Sequence, residues 1–232
     1  MSADATRIAR TLYEDIVLGI FPPGTKLIEE RLGERFAAKR HVVRAAFAEL
    51  AALGFVERIP NRGVYVHEMS PREVREIYDV RALLECHAAR ITPLPAPAAV
   101  TDRLTTIQAR HGGAIEIGDY RAVLHLNTLF HHVQFAACGN ATLVAAIEDY
   151  ATRVHPITAL KFGDEALMAE VAASHRAIIR AMDGTDAEAL VAEVRRHFDL
   201  RKVEEYARRY RMKYGPADPS PVPRAPLAAL PL

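Results

Sequence analysis

The sequence is poor in cysteine, with two among its 232 residues. Cys86 and Cys138 lie far apart and form no Cys-x-x-Cys pair. Their small number excludes a disulfide framework, and their spacing excludes a zinc finger of the paired-cysteine type. We therefore expect the protein to work in a reducing, cytoplasmic environment.

Long hydrophobic runs are also missing, because nowhere do about 18 apolar residues follow one another, and we expect no membrane span. The first 20 residues leave no apolar centre for a signal peptide, since they include Asp4, Arg7, Arg10, Glu14 and Asp15. An excess of one charge is lacking too, since the formal net charge is +1. That balance excludes a chain that is basic throughout, but it is compatible with a local basic patch.

Helical periodicity dominates the first part of the chain. A first helix is predicted over 5–20, where four apolar residues recur at helical spacing: Ile8, Leu12, Ile16 and Ile20. A second helix fits 28–36, with Leu32 and Phe36 facing inward, and a third runs from about 39 to 53, before Gly54.

A β-hairpin is predicted directly after the third helix. Residues with strand-like alternation flank a Pro-Asn-Arg-Gly turn at 60–63. Three helices and a hairpin are the elements of a winged helix-turn-helix. We assign this domain to residues 1–68.

The rest of the chain is predicted to be helical. Ser70-Pro71-Arg72-Glu73 is typical of a helix start. Breaks at 92–99, 111–119, 138–140, 161–165 and 183–186 leave about six helices, enough for a bundle core. The predicted fold class is thus mainly α, with a winged helix-turn-helix followed by an all-helical domain at 69–215. Residues 216–232, rich in Pro and Ala, are predicted to form a disordered tail.

Positive charge is concentrated at the start of the third helix, where Lys39, Arg40, His41 and Arg44 fall within six positions. Arg40 and Arg44 are four residues apart and share one face, while Val43 and Phe47 face the core. Cations at a helix N-terminus oppose the macrodipole at a cost of several tenths of a kcal/mol. This placement favours an anionic partner such as a DNA phosphate, the alternative being a solvated helix face.

The predicted hairpin carries a second group of DNA-binding candidates. Arg58 lies on a strand, and Asn61, Arg62 and Gly63 form the turn, where a side chain can enter a minor groove. Solvated arginines on a surface turn are the alternative for the hairpin alone. Both basic features in one winged unit favour double-stranded DNA as the partner.

Residues 21–66 are similar to the DNA-binding domain of the GntR family of bacterial transcription regulators. The shared residues are Pro23, Gly24, Leu27, Glu29, Leu32, Phe36, Arg40, Val43, Arg44, Leu50, Gly54, Val56, Asn61, Arg62, Gly63 and Val64. The family usually has Gly-Val-Ser where this chain has Ala37-Ala38-Lys39, Pro at Val42 and Glu at Ala45. These departures leave the fold intact and place Lys39 and His41 at base-reading positions.

The helical part resembles the FCD ligand-binding domain of the FadR subgroup. The resemblance lies in 75–91, 127–143, 174–190 and 194–198. It implies a divalent-metal site built from an aspartate and three histidines, which correspond here to Asn127, His131, His175 and His197. Positions 127 and 131 are one helical turn apart, and the other two fall on further helices, as a site between bundle helices requires.

Spacing alone does not select these histidines. His125 and His132, seven residues apart, form a rival stripe, and helix histidines are often plain core or surface residues. Imidazole and oxygen donors suit Zn, Ni, Mn or Fe equally. Because Asn127 replaces the usual aspartate and carries no charge, we expect the metal to be weakly held.

The resemblance also places Arg81 toward the effector cavity, with Asn127 as a second effector contact. An ion pair from Arg81 to Glu85, four residues later, is the alternative. An arginine beside a metal favours a small carboxylate as the effector.

Together with these resemblances, the sequence predicts a cytoplasmic, homodimeric repressor that binds a palindromic operator and senses a small organic acid. One alternative is a metal-dependent, hydrolase-like enzyme that uses the three histidines, although no motif supplies a general base beside them. Another is an architectural DNA-binding protein without an effector.

Overall fold

The structure is a computed structural model that describes residues 3–198, 203–208 and 212. The chain divides into two compact units between Ser70 and Pro71. The disordered tail predicted at 216–232 lies outside the described residues.

The first unit combines three helices with a small sheet. Its elements are α1 (Ala3–Val17), β1 (Lys26–Leu27), α2 (Glu29–Phe36), α3 (Arg40–Ala52), β2 (Val56–Ile59) and β3 (Gly63–Val66). The sheet is antiparallel, with strand order β1-β3-β2. The predicted winged helix-turn-helix is confirmed.

The core of this unit follows the predicted apolar stripes. α1 packs against α3 through residues that are almost fully buried: Ile8, Leu12 and Ile16 from α1, and Val43, Phe47 and Leu50 from α3. Ile20 departs from the prediction, because α1 ends at Val17 and Ile20 is 56% exposed. Because Val43 and Phe47 point inward, the opposite face of α3, with Arg40 and Arg44, faces outward.

An ion pair ties α2 to α1. The carboxylate of Asp15 is fully buried, and its Oδ2 lies 2.6 Å from Arg35 Nη2. The Arg35 guanidinium also lies over the rings of Phe21 and Phe36, 5.8 and 5.0 Å from their centroids. α2 then turns into α3 through Ala37, whose φ of 49° is left-handed and costs an alanine about 1–2 kcal/mol. The left-handed backbone of Ala37 therefore sets the geometry of the turn between α2 and α3.

The sheet contains one strand that the sequence did not indicate. β1 is two residues long and pairs with β3, so that Lys26 stands opposite Tyr65. The Gly24 amide extends this edge by donating a hydrogen bond to the Val66 carbonyl at 2.9 Å. Two residues are too few to show alternation, so only the neighbouring strand reveals β1.

The second unit is helical, as predicted. Its elements are α4 (Pro71–Ile91), α5 (Ala98–Glu116), α6 (Tyr120–Ala136), α7 (Ala141–Arg153), α8 (His155–Thr158), a 3₁₀ turn (Ala159–Lys161), α9 (Glu165–Asp183) and α10 (Ala187–His197). Residues 203–208 are helical as well. α5 packs against α6 and α9, while α10 packs against α4 and α9.

The break predicted at 111–119 is wrong over most of its length, because α5 continues through Gly112 and Gly113 to Glu116. Glycine costs a helix about 1 kcal/mol relative to alanine. Leu104, Ile107 and His111 are buried on this helix, and their packing outweighs that cost. Tertiary contacts here override local propensity.

The described residues bear on two expectations from the sequence, one about disulfide bonds and one about membrane spans. Both cysteines are buried and free of disulfide bonds. Within the described part of the chain, every helix is too short or too polar to cross a lipid bilayer.

Candidate functional site

The N-terminus of α3 is an exposed cationic helix end. Lys39 occupies the N-cap without a side-chain hydrogen bond to the helix, and the first turn contains no acidic residue. His41 is exposed, as are the Arg40 and Arg44 side chains, at 69% and 60%. The structure therefore brings these four predicted DNA-binding residues together at one accessible helix end, where backbone N–H groups also favour an anion.

Two glutamates of α2 contact these arginines. Arg44 Nε donates to Glu29 Oε2 at 2.8 Å, and Arg40 Nη2 donates to Glu30 Oε1 at 3.4 Å. Exposed pairs of this kind contribute about 0–1 kcal/mol. An anion at this helix end could therefore displace the glutamates at small cost. In the structure the two pairs hold the guanidinium groups on the outer face of α3.

The tip of the β2–β3 hairpin carries the second predicted group. Arg58, Asn61 and Arg62 are exposed there. The turn needs left-handed backbone at Asn61 (φ 60°) and Gly63 (φ 112°), and the second value favours glycine strongly. Gly63 therefore shapes the turn that presents Arg62.

The candidate metal centre lies where three helices of the second unit meet. His131 on α6, His175 on α9 and His197 on α10 place their ligand atoms within 4.8 Å of one another. His131 Nε2 and His197 Nε2 are 3.2 Å apart. Ligands of a tetrahedral ion with bonds of about 2.0–2.1 Å are separated by about 3.3 Å. The His131–His197 pair therefore has the spacing of metal ligands, and His175 completes a cluster of three imidazoles around it.

The outer nitrogen of each ring contacts a side-chain oxygen. His175 Nδ1 lies 2.6 Å from Gln108 Oε1, His131 Nδ1 lies 3.1 Å from Gln134 Oε1, and His197 Nδ1 lies 2.9 Å from Ser174 Oγ. An amide oxygen only accepts, so Nδ1 is the donor in His131 and His175, and a hydroxyl can accept in the same way. In His131 and His175 this tautomer leaves Nε2 with its lone pair available to a metal.

Packing fixes the most buried of these rings. His175 is fully buried, and its ring stacks on Phe130 with centroids 4.0 Å apart and planes 14° apart. His111 on α5 is also buried, with its ring centroid 5.4 Å from that of His175. His111 adds a further imidazole to the surroundings of the cluster, and the sequence analysis did not identify it.

The rival histidine stripe does not form this cluster. His125 is exposed, and His132 contacts Glu148 of α7 through its Nδ1. Asn127 is buried one helical turn before His131 on α6. Its roles as a metal ligand and an effector contact remain predictions.

Arg81 makes the ion pair that was the alternative to effector binding. Its Nε donates to Glu85 Oε1 at 2.9 Å, and both side chains are largely buried, at 13% and 3% exposure. Burial raises the pKa of the Glu85 carboxyl, and Arg81 opposes that rise. The guanidinium also lies over Tyr78 and Phe198, 5.3 and 5.1 Å from the ring centroids. An effector contact of Arg81 would therefore add to an existing pair.

Sequence reasoning missed the three oxygens that contact the histidines. Gln134 lies three residues after His131, so local spacing is a usable signal for it. Ser174 lies 23 positions from His197, the histidine that it contacts, and has no such signal. Gln108 lies 67 positions from its histidine and carries no such signal. Only helix packing places it there.

Comparisons with known proteins agree with this architecture. Residues 4–66 match the family described as bacterial regulatory proteins, gntR family, and residues 76–200 match the FCD domain. The chain is 28% identical over 209 residues to the HTH-type transcriptional repressor RspR of Escherichia coli K12, covering 89% of this chain and 90% of that protein. It is 34% identical over 84 residues to the gluconate operon transcriptional repressor of Bacillus subtilis, covering 36% and 34% of the two chains.

A solved structure shows the same fold. E. coli McbR/YncC superposes with a TM-score of 0.73 at 20% sequence identity, over 90% of this chain and all of that one. Both resemblances noted in the sequence are therefore confirmed. The chain belongs to the GntR family of bacterial transcription regulators, with a DNA-binding helix-turn-helix domain followed by an FCD domain.

Proposed function

We propose that this regulator is a homodimeric repressor that binds a palindromic operator and senses a small organic acid. The acid would bind in the FCD domain beside a divalent metal held by His131, His175 and His197. The observation that carries the metal, and with it the acid, is the convergence of three imidazoles whose Nδ1 atoms all meet side-chain oxygens.

The operator would be read by the exposed end of α3 and the tip of the hairpin. In a helix-turn-helix, the N-terminal residues of the second helix contact base edges and phosphates in the major groove. Lys39, Arg40, His41 and Arg44 occupy that end. A palindromic operator matches a twofold dimer, and its half-sites would lie about one helical turn of DNA apart. The named repressors among the relatives support repression.

The histidine cluster suits a divalent metal by its donor chemistry. Neutral imidazoles bind Zn, Ni, Mn or Fe, and each ring is oriented by its oxygen partner as metal-binding histidines are. Among the described residues, the cluster contains three histidines and no carboxylate. A bound divalent ion would supply a net positive charge that these neutral donors do not offset. That charge favours an effector with a carboxylate. Asn127 is neutral, so it does not reduce the positive charge of the bound metal.

The hydrolase-like alternative is disfavoured by the same donor set. An enzyme that activates water needs a general base within hydrogen-bonding reach. The described cluster offers no aspartate or glutamate for that role, and the family is one of transcription regulators.

Selection of DNA by the full-length protein tests the operator. We expect binding rounds with a random duplex pool to yield an inverted repeat, here called the selected operator, and the mass of the complex to correspond to two chains. Organic acids are then added one by one in the presence of Zn²⁺, and at least one should release the DNA. A selected sequence without twofold symmetry, or a single chain per duplex, contradicts the proposal.

The metal part is tested at a residue that is not a ligand. Gln108→Leu should weaken Zn²⁺ binding by about 10- to 100-fold, because His175 loses the acceptor that sets its tautomer. Calorimetry measures the affinity, and circular dichroism checks the fold. Thr106→Val, an exposed position on the same helix, is the control and should bind metal like the wild type. Unchanged Zn²⁺ affinity in a folded Gln108→Leu protein would show that the ring partners do not prepare a metal site.

A further inference from the structure

A row of side chains crosses the outer face of the small sheet. Val64 and Val66 of β3 are buried beneath the sheet, so Tyr65 between them points outward. Lys26 of β1 and Glu57 of β2 stand opposite Tyr65 on its two sides. The sheet therefore places a cation at one edge of the tyrosine and an acid at the other.

Two cations lie against the Tyr65 ring. Lys26 Nζ is 5.9 Å and Arg62 Cζ is 5.7 Å from its centroid, distances typical of cation–π contacts. The Tyr65 hydroxyl also donates to the Arg62 carbonyl at 3.4 Å. Lys26 and Arg62 are 36 positions apart in sequence, and only the pairing of β1 with β3 brings them to one ring.

Lys26 is also positioned by the turn glycine. A Cβ added at Gly63 would lie 3.2 Å from Lys26 Cε, so the lysine stem passes closely over that glycine. Gly63 therefore leaves room for Lys26 in addition to providing the left-handed backbone. Lys26 is exposed, and its ammonium group is thereby held next to the hairpin tip that presents Arg62.

We propose that Lys26, held against Tyr65 beside Arg62, is a further DNA-contacting residue of the wing and binds a backbone phosphate. Lysine is a point charge with three donors, which suits a phosphate rather than a base edge. Because Glu57 repels phosphates on the β2 side, the DNA backbone would pass along the β1 edge. The inference extends the operator binding proposed above and adds a residue that lies outside both predicted groups.

Salt-dependent binding to the selected operator tests the proposal. Each phosphate contact contributes about 0.9 to the slope of log affinity against log salt concentration. Lys26→Gln should lower the slope by about 0.9 for each wing in contact and weaken binding about fivefold per wing at about 0.15 M salt. Lys26→Arg, which keeps the charge, should restore most of both quantities. Fluorescence anisotropy over a salt series gives the affinity and the slope.

Further variants separate the explanations. Arg103→Gln removes one exposed cation from the FCD domain and should leave the slope unchanged. Lys26→Met removes the charge but keeps an unbranched apolar stem over Gly63, so it should show the same affinity and slope as Lys26→Gln. It thus provides a second test in case the amide of Lys26→Gln disturbs the hairpin.

A folded Lys26→Met protein with wild-type slope overturns the phosphate contact, as does weaker binding without a change in slope. If the wild type selects no operator at all, the proposed function fails instead, and binding to a random duplex still tests Lys26.

Discussion

Replacing both Arg40 and Arg44 with alanine is expected to abolish specific binding to the selected operator under conditions where the wild type binds fully. Each arginine should contribute about 1–3 kcal/mol, and the salt dependence should become shallower. Both side chains are exposed and neither packs in the core, so the unfolding temperature should change little. Effector binding, which lies in the other unit, should be unaffected. Anisotropy titrations and thermal unfolding measure these quantities.

The matched control for this double variant is Arg103→Ala with Arg110→Ala. Both control arginines are exposed on α5, so the net charge changes by the same amount. If the effect comes from overall charge, the two double variants will lose affinity equally. Retained operator affinity in the Arg40/Arg44 variant would remove α3 from the interface.

The second large effect is expected at Asn127, and it has opposite signs for two ligands. Asn127→Asp should tighten Zn²⁺ binding by at least about tenfold, because a carboxylate near a divalent ion is attracted by several kcal/mol in a partly buried site. The same change should weaken a carboxylate effector, since the added charge lowers the positive potential. Calorimetry with Zn²⁺ and with the active organic acid measures both.

Stability gives an independent measure of the same substitution. Asn127 is buried, so an aspartate there without metal is a desolvated charge and should lower the unfolding temperature. Metal should then raise that temperature by more than it does in the wild type. Asn140→Asp adds the same charge at an exposed helix N-cap, where aspartate also caps well, and should change neither ligand. If Asn127→Asp changes neither affinity, Asn127 is not part of the site.

Local patterns sufficed for most of the architecture. The helices of the first unit follow from apolar spacing, and the hairpin follows from alternation around a Pro-Asn-Arg-Gly turn. Two departures among the described elements have a clear physical reason. β1 is too short to have a pattern, and α5 continues through two glycines because its buried face packs against α6 and α9.

The candidate DNA-binding residues were largely visible in the sequence, because Lys39 to Arg44 are close together in the chain and a helix N-terminus presents neighbours together. Lys26 was not visible, since it reaches the wing only through strand pairing with Tyr65. Gly63 could be identified as a turn residue, but its closeness to the Lys26 stem is a tertiary contact.

By itself, the sequence determined the two-part mainly α architecture, the cationic start of α3 and, through its resemblance to the FCD domain, the identity of three histidines. Spacing did not distinguish His131 from His125 and His132. The tertiary structure shows the physical reason for the difference, because α6, α9 and α10 meet at His131 while His125 faces outward and His132 contacts Glu148. The ring orientations were likewise decided by packing, since Gln108 reaches His175 from a separate helix. Helical periodicity reports which face is buried, and it carries no information about which distant residues share that interior.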